Sequence, residues 1–254
     1  SNGQMFESKR FNGQPVTREW ATERARWEPL VEVFQIKGTS ETHPALSPND
    51  EFANFGIWDT ANLNGVPKQD GDLQGEYLRE ALKTGLRLQN ELGVNPFKYG
   101  MAAGSDTHNS LATGGEENNF WGKFVADQPS PKRWDHVMFK EQSGYLRLGW
   151  TQVAAGITGV WATANTREAL WDAMKRRETF ASSGPRLSVR FFAGYDFTDQ
   201  DADPASLAAR GYARGVPMGG DLPAAPAGKV PTFLFAALKD PQGANLDRVQ
   251  IIKG

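Results

Sequence analysis

The sequence predicts an α/β fold with a β-rich appendage at its carboxyl end. Three observations carry that expectation. Two short apolar runs, 30–36 and 99–103, are separated by a long crossover containing an amphipathic helix, the order expected of parallel strands. A third run, 158–162, is followed by Asn165-Thr166-Arg167-Glu168, which resembles a capping-box start to another helix. Beyond Pro185 the pattern turns to alternation, then to a stretch rich in Ala, Gly, Pro and Asp.

In chain order, residues 17–29 are helix-like, with Thr17 as N-cap and Pro29 as stop. Residues 30–36 read as a short buried strand, followed by the polar loop Lys37-Gly38-Thr39-Ser40-Glu41-Thr42-His43-Pro44. Residues 45–74 are loop-rich and acidic. Leu78, Ala81, Leu82, Gly85, Leu86 and Leu92 trace a stripe close to helical period, predicting a helix over 76–92 closed by Gly93. The strand 99–103 and the turn with Asp106 and His108 come next. Residues 114–119 read as a loop, and 131–140 as a helix preceded by Ser130. After the strand at 158–162, the helix from Asn165 runs to about Arg177, and Gly184-Pro185 makes a turn. In the appendage, strands are expected at 187–192, 231–238 and 246–252, with 198–230 low in order. Asp240-Pro241-Gln242-Gly243 would join the last two. The expected division is 1–186 and 187–254, and both ends read as cut from a longer protein.

Composition narrows the function classes. A chain of 254 residues, 39% hydrophobic and 23% charged, suits a soluble globular protein. A formal net charge of −2 gives no electrostatic case for nucleic acid or an anionic membrane. No apolar run is long enough for a transmembrane helix. The absence of cysteine excludes disulfides and thiolate zinc sites, so any metal must be held by nitrogen and oxygen. The 8 Trp and 15 Phe suit core packing better than a sugar platform.

Asp106 and His108 form the leading constellation, since only 3 histidines are present. On a strand, residues two apart face one side, so both side chains can converge on one cation at the strand's carboxyl end. The same pair also reads as a helix-capping Asp beside a surface His. The loop after the first strand would open at the same rim. There Glu41 can ligate metal or act as general base, while Lys37 and Ser40 can bind an anionic substrate. An ordinary solvated loop has the same composition. His43, before Pro44, is a weaker substrate-binding candidate. Glu32, inside the apolar strand, either points outward or supports a ligand from behind. His136 packs or is solvated within a helix. Arg167, Arg176 and Arg177 read as surface residues, whereas Arg186, near a strand start, is the arginine to watch for phosphate.

Four blocks read together, 28–41, 104–109, 156–162 and 166–186, resemble the PHP (polymerase and histidinol phosphatase) metallohydrolases and the broader amidohydrolase-like group. The most specific are Lys37-Gly38-Thr39-Ser40-Glu41 and Gly104-Ser105-Asp106-Thr107-His108-Asn109. The resemblance, to a large family without assigned function, implies a distorted (β/α)7-type barrel with metal at the carboxyl ends of its strands. Asp106 and His108 would be metal ligands, and Glu41 a ligand or base. It further implies two or three divalent ions, Zn, Mn or Fe, and hydrolysis of a small anionic phosphoester by a metal-bound hydroxide. The family's amino-terminal His-x-His, and a further His, are not in this chain. The barrel is therefore expected to be incomplete at its amino end, and the isolated chain to bind metal weakly and catalyse little. Cleavage of an amide, carbamate or sulfate ester, or a degenerate module kept for binding, are the competing readings. Related proteins often carry export signals, which admits an extracytoplasmic location.

Overall fold

Thr17 opens the first helix as its chemistry requires. Its side chain accepts a hydrogen bond from the Trp20 N–H at 3.4 Å and starts α1 (Arg18–Trp27). The computed structural model describes residues 2–69, 71–108, 110, 135–152 and 155–254. The loop expected at 114–119, Asn109, Ser130 and the first part of the 131–140 helix lie outside the described residues. Directly after α1, β1 (Leu30–Gln35) is followed by a tight turn and the antiparallel β2 (Gly38–Thr39). Only glycine fits at position 38. Its φ is +110°, and a Cβ there would lie 2.0 Å from the Gly56 carbonyl oxygen.

The long crossover ends in α2 (Leu78–Leu92), which buries Leu78, Ala81, Gly85 and Leu88 on one face. Gly93, at φ 76°, caps it by donating to the Gln89 carbonyl at 2.8 Å. β3 (Gly100–Ala103) then pairs parallel with β1, Leu30 opposite Gly100, with a bulge between Glu32 and Phe34. Beneath this pair lies the main core, where Phe6, Phe97 and Tyr99 pack their rings with Val31, Leu78 and Leu88.

The remaining chain forms small antiparallel units. β4 (Val137–Lys140) pairs with β5 (Leu146–Leu148). β6 (Ile157–Val160) leads through α3 (Arg167–Lys175), capped by Thr166, to its antiparallel partner β7 (Thr179–Ser182). The Thr158 hydroxyl donates to the Ala103 carbonyl at 2.7 Å and accepts from the Ala103 N–H at 2.8 Å, pinning β6 beside β3. β8 (Ser188–Gly194), α4 (Leu207–Arg214), β9 (Val216–Pro217) and β10 (Thr232–Leu238) complete the fold. Their sheet runs β10-β8-β9 over a separate apolar cluster of Phe192, Leu207 and Leu234. The Arg190 guanidinium, 3.6 Å from the Trp161 ring centroid, ties that sheet to the first part of the chain.

Several expectations are corrected here. The architecture is mixed α/β with small sheets, and among the described residues there is neither a closed barrel nor a (β/α)7 repeat. Closure needs each strand to continue a hydrogen-bonded ladder. Beyond β3 the neighbour is instead held by a threonine side chain, and β6 and β7 run antiparallel. Residues 137–140 are a strand rather than helix, because the turn containing Gly144 at φ 90° folds them onto β5. The 198–230 stretch is more ordered than its composition suggests. It holds a 3-10 turn over Asp199–Ala202, fixed by the Thr198/Asp201 capping box, and then α4. Residues 246–252 form no strand; β10 takes β8 as its antiparallel partner and stands at the edge of its sheet. No helix among the described residues is long and apolar enough to cross a membrane.

One anchored ion pair makes stability respond to acid. Glu76 is buried, and burial alone would raise its pKa, but hydrogen bonds and cationic charge on its carboxylate, the Lys68 ammonium first among them, together outweigh this and lower it to about 2. A depressed carboxyl pKa contributes stability that is fully present above the unfolded value, 4.5, and is lost as pH falls through about 2. The contribution is on the order of 3 kcal/mol at most. Urea unfolding of Glu76→Gln is expected to show a shallower loss of stability between about pH 5 and pH 2 than wild type. Equal slopes would show that Glu76 does not titrate with folding.

Candidate functional site

Parallel pairing brings the carboxyl ends of β1 and β3 to one rim. The Gly104 N–H donates to the Phe34 carbonyl at 3.1 Å, and the Gly104 carbonyl accepts from Gly156 at 2.9 Å. These bonds fix the backbone where the chain leaves β3. It then turns sharply, for Asp106 has φ 52°, a left-handed conformation that Asp tolerates better than most residues. Strand alternation therefore does not orient the Asp-x-His pair, as the sequence suggests; a turn does. Ser105 stabilises the turn by accepting from the Thr107 N–H at 3.3 Å.

The Lys37 ammonium reaches across from the β1–β2 turn and pairs with the Asp106 carboxylate. Both side chains are largely sheltered, 15% and 22% exposed, so solvent screens the pair weakly. His108 Nδ1 lies 2.9 Å from the Asp106 backbone oxygen and 3.9 Å from its Oδ1. A carbonyl can only accept, so Nδ1 carries a proton, and in the neutral ring Nε2 then holds the lone pair. That tautomer is the one in which a histidine ligates through Nε2.

Glu32 is exposed, as strand alternation after the buried Val31 gives, and the bulge that follows it brings Phe34 to the buried face. Its Oε1 lies 3.0 Å from where a Cβ on residue 104 would stand, so glycine there leaves room for the carboxylate at the rim. It contacts Gln35 Nε2 at 3.4 Å and supports no histidine.

The other expected residues are placed elsewhere. Glu41 accepts from Arg79 Nη2 at 2.6 Å and Nε at 3.2 Å, and Arg79 also binds Asp50 at 2.8 Å. The guanidinium occupies the carboxylate that the sequence assigns to metal or general-base work. His43 has both ring nitrogens engaged, Nδ1 accepting from Ala45 N–H at 3.1 Å and Nε2 donating to Asp59 at 2.8 Å. Its ring packs tilted against Tyr77, 5.6 Å away. Burial, then the charges of Asp59 and Glu76, push the Tyr77 hydroxyl far above the ordinary phenol range. Arg186 is exposed and donates its backbone N–H to Asp240 at 2.6 Å in the carboxyl-terminal turn. His136 stands exposed at the start of the β4–β5 hairpin.

Beside the rim opens a cavity of about 440 Å³, whose lining includes Lys37, Ser40, Trp58, Asn62, Tyr77 and Arg147. Trp58, Asn62 and Arg147 were not expected from the sequence, for they come from a loop and a hairpin with no spacing signal between them. Arg147 sits 4.7 Å over the Trp58 ring and pairs with the buried Glu141. Lys37 lines this cavity and also holds Asp106, so it joins the two features.

Among the described residues, no group of three or more His, Asp and Glu side chains is placed to hold a metal ion. The donor types at the turn nonetheless suit a divalent cation, with a carboxylate oxygen from Asp106 and an imidazole nitrogen from His108. Two donors make half a site.

A family model matches residues 1–254, the whole chain; the family is DUF3604, described as a protein of unknown function. Comparison with curated proteins and with solved structures returns no match.

Proposed function

We propose that this chain, which belongs to the DUF3604 family, contributes Asp106 and His108 to a metal-dependent hydrolase site acting on a small anionic phosphoester. The observation that supports this reading is the 104–108 turn, where a left-handed Asp and an Nδ1-protonated His stand at the carboxyl end of the parallel pair. A bound divalent ion would supply polarisation of water and of the ester oxygens. Asp106 would give a carboxylate oxygen and His108 its Nε2, oriented by the Asp106 carbonyl behind it. Further donors would come from outside the described residues, from substrate or from water. Lys37, at the same rim, suits an anionic ester oxygen, and Ser40 offers a hydroxyl from the adjoining cavity wall. This reading does not call on Glu41, whose Oε1 already accepts from Arg79, or on His43, whose two ring nitrogens are engaged. The likeness of the rim sequences to PHP metallohydrolases favours phosphoesters over amides and sulfate esters.

A binding module without catalysis is the second reading, and Lys37 already seated on Asp106 favours it. An assay of the full-length protein that contains this chain, with Mn²⁺ or Zn²⁺, against p-nitrophenyl phosphate, bis(p-nitrophenyl) phosphate, p-nitrophenyl sulfate and an anilide separates the two. The hydrolase reading expects phosphoester turnover that disappears in His108→Ala. No turnover of any substrate, or turnover indifferent to His108→Ala, would overturn it.

A further inference from the structure

We infer that residues 246–252 are a strap with two positions, one against the loop before α2 as in the structure, the other as an antiparallel strand on the free edge of β10. That edge is bare. β10 is the outer strand of its sheet and pairs with β8 in unbroken register from Thr232 to Leu238. Between Pro231 and Lys239 it carries neither charge nor proline, the devices that keep natural edges from pairing. The Met218 N–H donates to the Phe191 carbonyl at 2.9 Å, so Phe191 addresses β9. By alternation Phe192 addresses β10, and the backbone groups of Phe233, Phe235 and Ala237 point to the free edge.

The strap has the composition of a strand and no ladder. Leu246, Val249, Ile251 and Ile252 each stand about half exposed, and β-branched side chains favour an extended, half-buried setting. What holds them lies at the surface. Arg248 pairs with Glu51 and covers the Phe52 ring at 4.6 Å, with both charges in solvent, where such a pair contributes little. The second position has a defined register. The chain already reverses at Asp240–Gly243, where the Gly243 N–H donates to the Asp240 carbonyl at 3.0 Å. With those residues as the connection, Lys239 faces Ala244, Phe235 faces Arg248 and Leu234 faces Val249. Val249 then joins the buried face of Leu234, Phe192 and Leu207, while Arg248 stays on the outer face. A slip of one residue would bury Arg248 instead. Because the turn is already made, little loop entropy opposes the move. The move also withdraws Asp247, Arg248 and Gln250 from a cavity of about 280 Å³ whose other wall holds Glu41 and Arg79. The strap thereby gates that cavity.

The chain has no cysteine, so a cysteine pair placed in the full chain reports one contact. Phe233→Cys with Gln250→Cys, opposed on the outer face, is expected to close an internal disulfide under mild oxidation, since opposed strand residues lie within disulfide range. Phe233→Cys with Val249→Cys, which leave opposite faces, should close at least about 10-fold more slowly. Glu51→Gln weakens only the first position and should speed closure of the outward pair about 2- to 5-fold. Phe235→Cys with Arg248→Cys, the next outward pair, repeats the test in a second variant. Equal rates for the two geometries, no disulfide in either outward pair, or a rate indifferent to Glu51→Gln would overturn the two-position strap. A disulfide between two chains in place of the internal one would also overturn it, giving the edge to a second copy.

Discussion

Replacing Arg147 by Met is expected to lower the unfolding free energy by about 3–5 kcal/mol and the melting temperature by roughly 6–20 °C. The arginine and its partner Glu141 are almost wholly buried, with side chains 6% and 1% exposed, and bond at 2.9 Å. Thr60 donates to Glu141 Oε1 at 2.6 Å and accepts from Arg147, so the carboxylate is saturated only while all three groups are present. Removing the guanidinium strands a buried charge, which costs far more than the pair contributes when intact. The ring contacts with Trp58 and Tyr145, at 4.7 and 5.1 Å, go with it. Glu141→Met combined with Arg147→Met is expected to recover most of the loss, since no charge then remains without a partner. Thermal and urea denaturation measure both; a single variant within about 1 kcal/mol of wild type would refute this account of the network.

Asp106→Asn and His108→Ala are each expected to weaken Mn²⁺ binding by about 100-fold or more, since even the loss of a ligand's supporting partner costs 10–100-fold. Asn keeps the shape of Asp and also tolerates the left-handed φ of 52°. His108 is mostly exposed, its side chain 52% accessible, so its removal leaves no core cavity. Circular dichroism and melting of His108→Ala should therefore stay close to wild type while its Mn²⁺ titration does not.

The caps and the parallel pair were legible in the sequence because they are local or directional. Thr17, Thr166 and Gly93 act within one helical turn of their partners. The placement of Lys37 beside Asp106 follows from strand direction alone, since parallel strands bring both carboxyl ends to one rim. That the expected barrel does not close among the described residues was not legible, because closure depends on ladders between distant strands that no local pattern encodes. Glu41 illustrates the same limit at the site. Its partner Arg79 lies 38 residues away on α2, and only the packing of that helix brings the guanidinium to the loop. Glu32, read either as pointing outward or as supporting a ligand, takes the outward place that alternation after the buried Val31 gives it. Residues 137–140 carry too short an apolar pattern to distinguish strand from helix, and the Gly144 turn decides it.

The most direct test of the rim site is pulsed electron paramagnetic resonance of Mn²⁺ bound to the full chain. A nitrogen coupling from one imidazole is expected in the electron spin echo modulation, absent in His108→Ala and present in His43→Ala. Mn²⁺ bound without nitrogen coupling, or with coupling that survives His108→Ala, would contradict the assignment of His108 as a metal ligand.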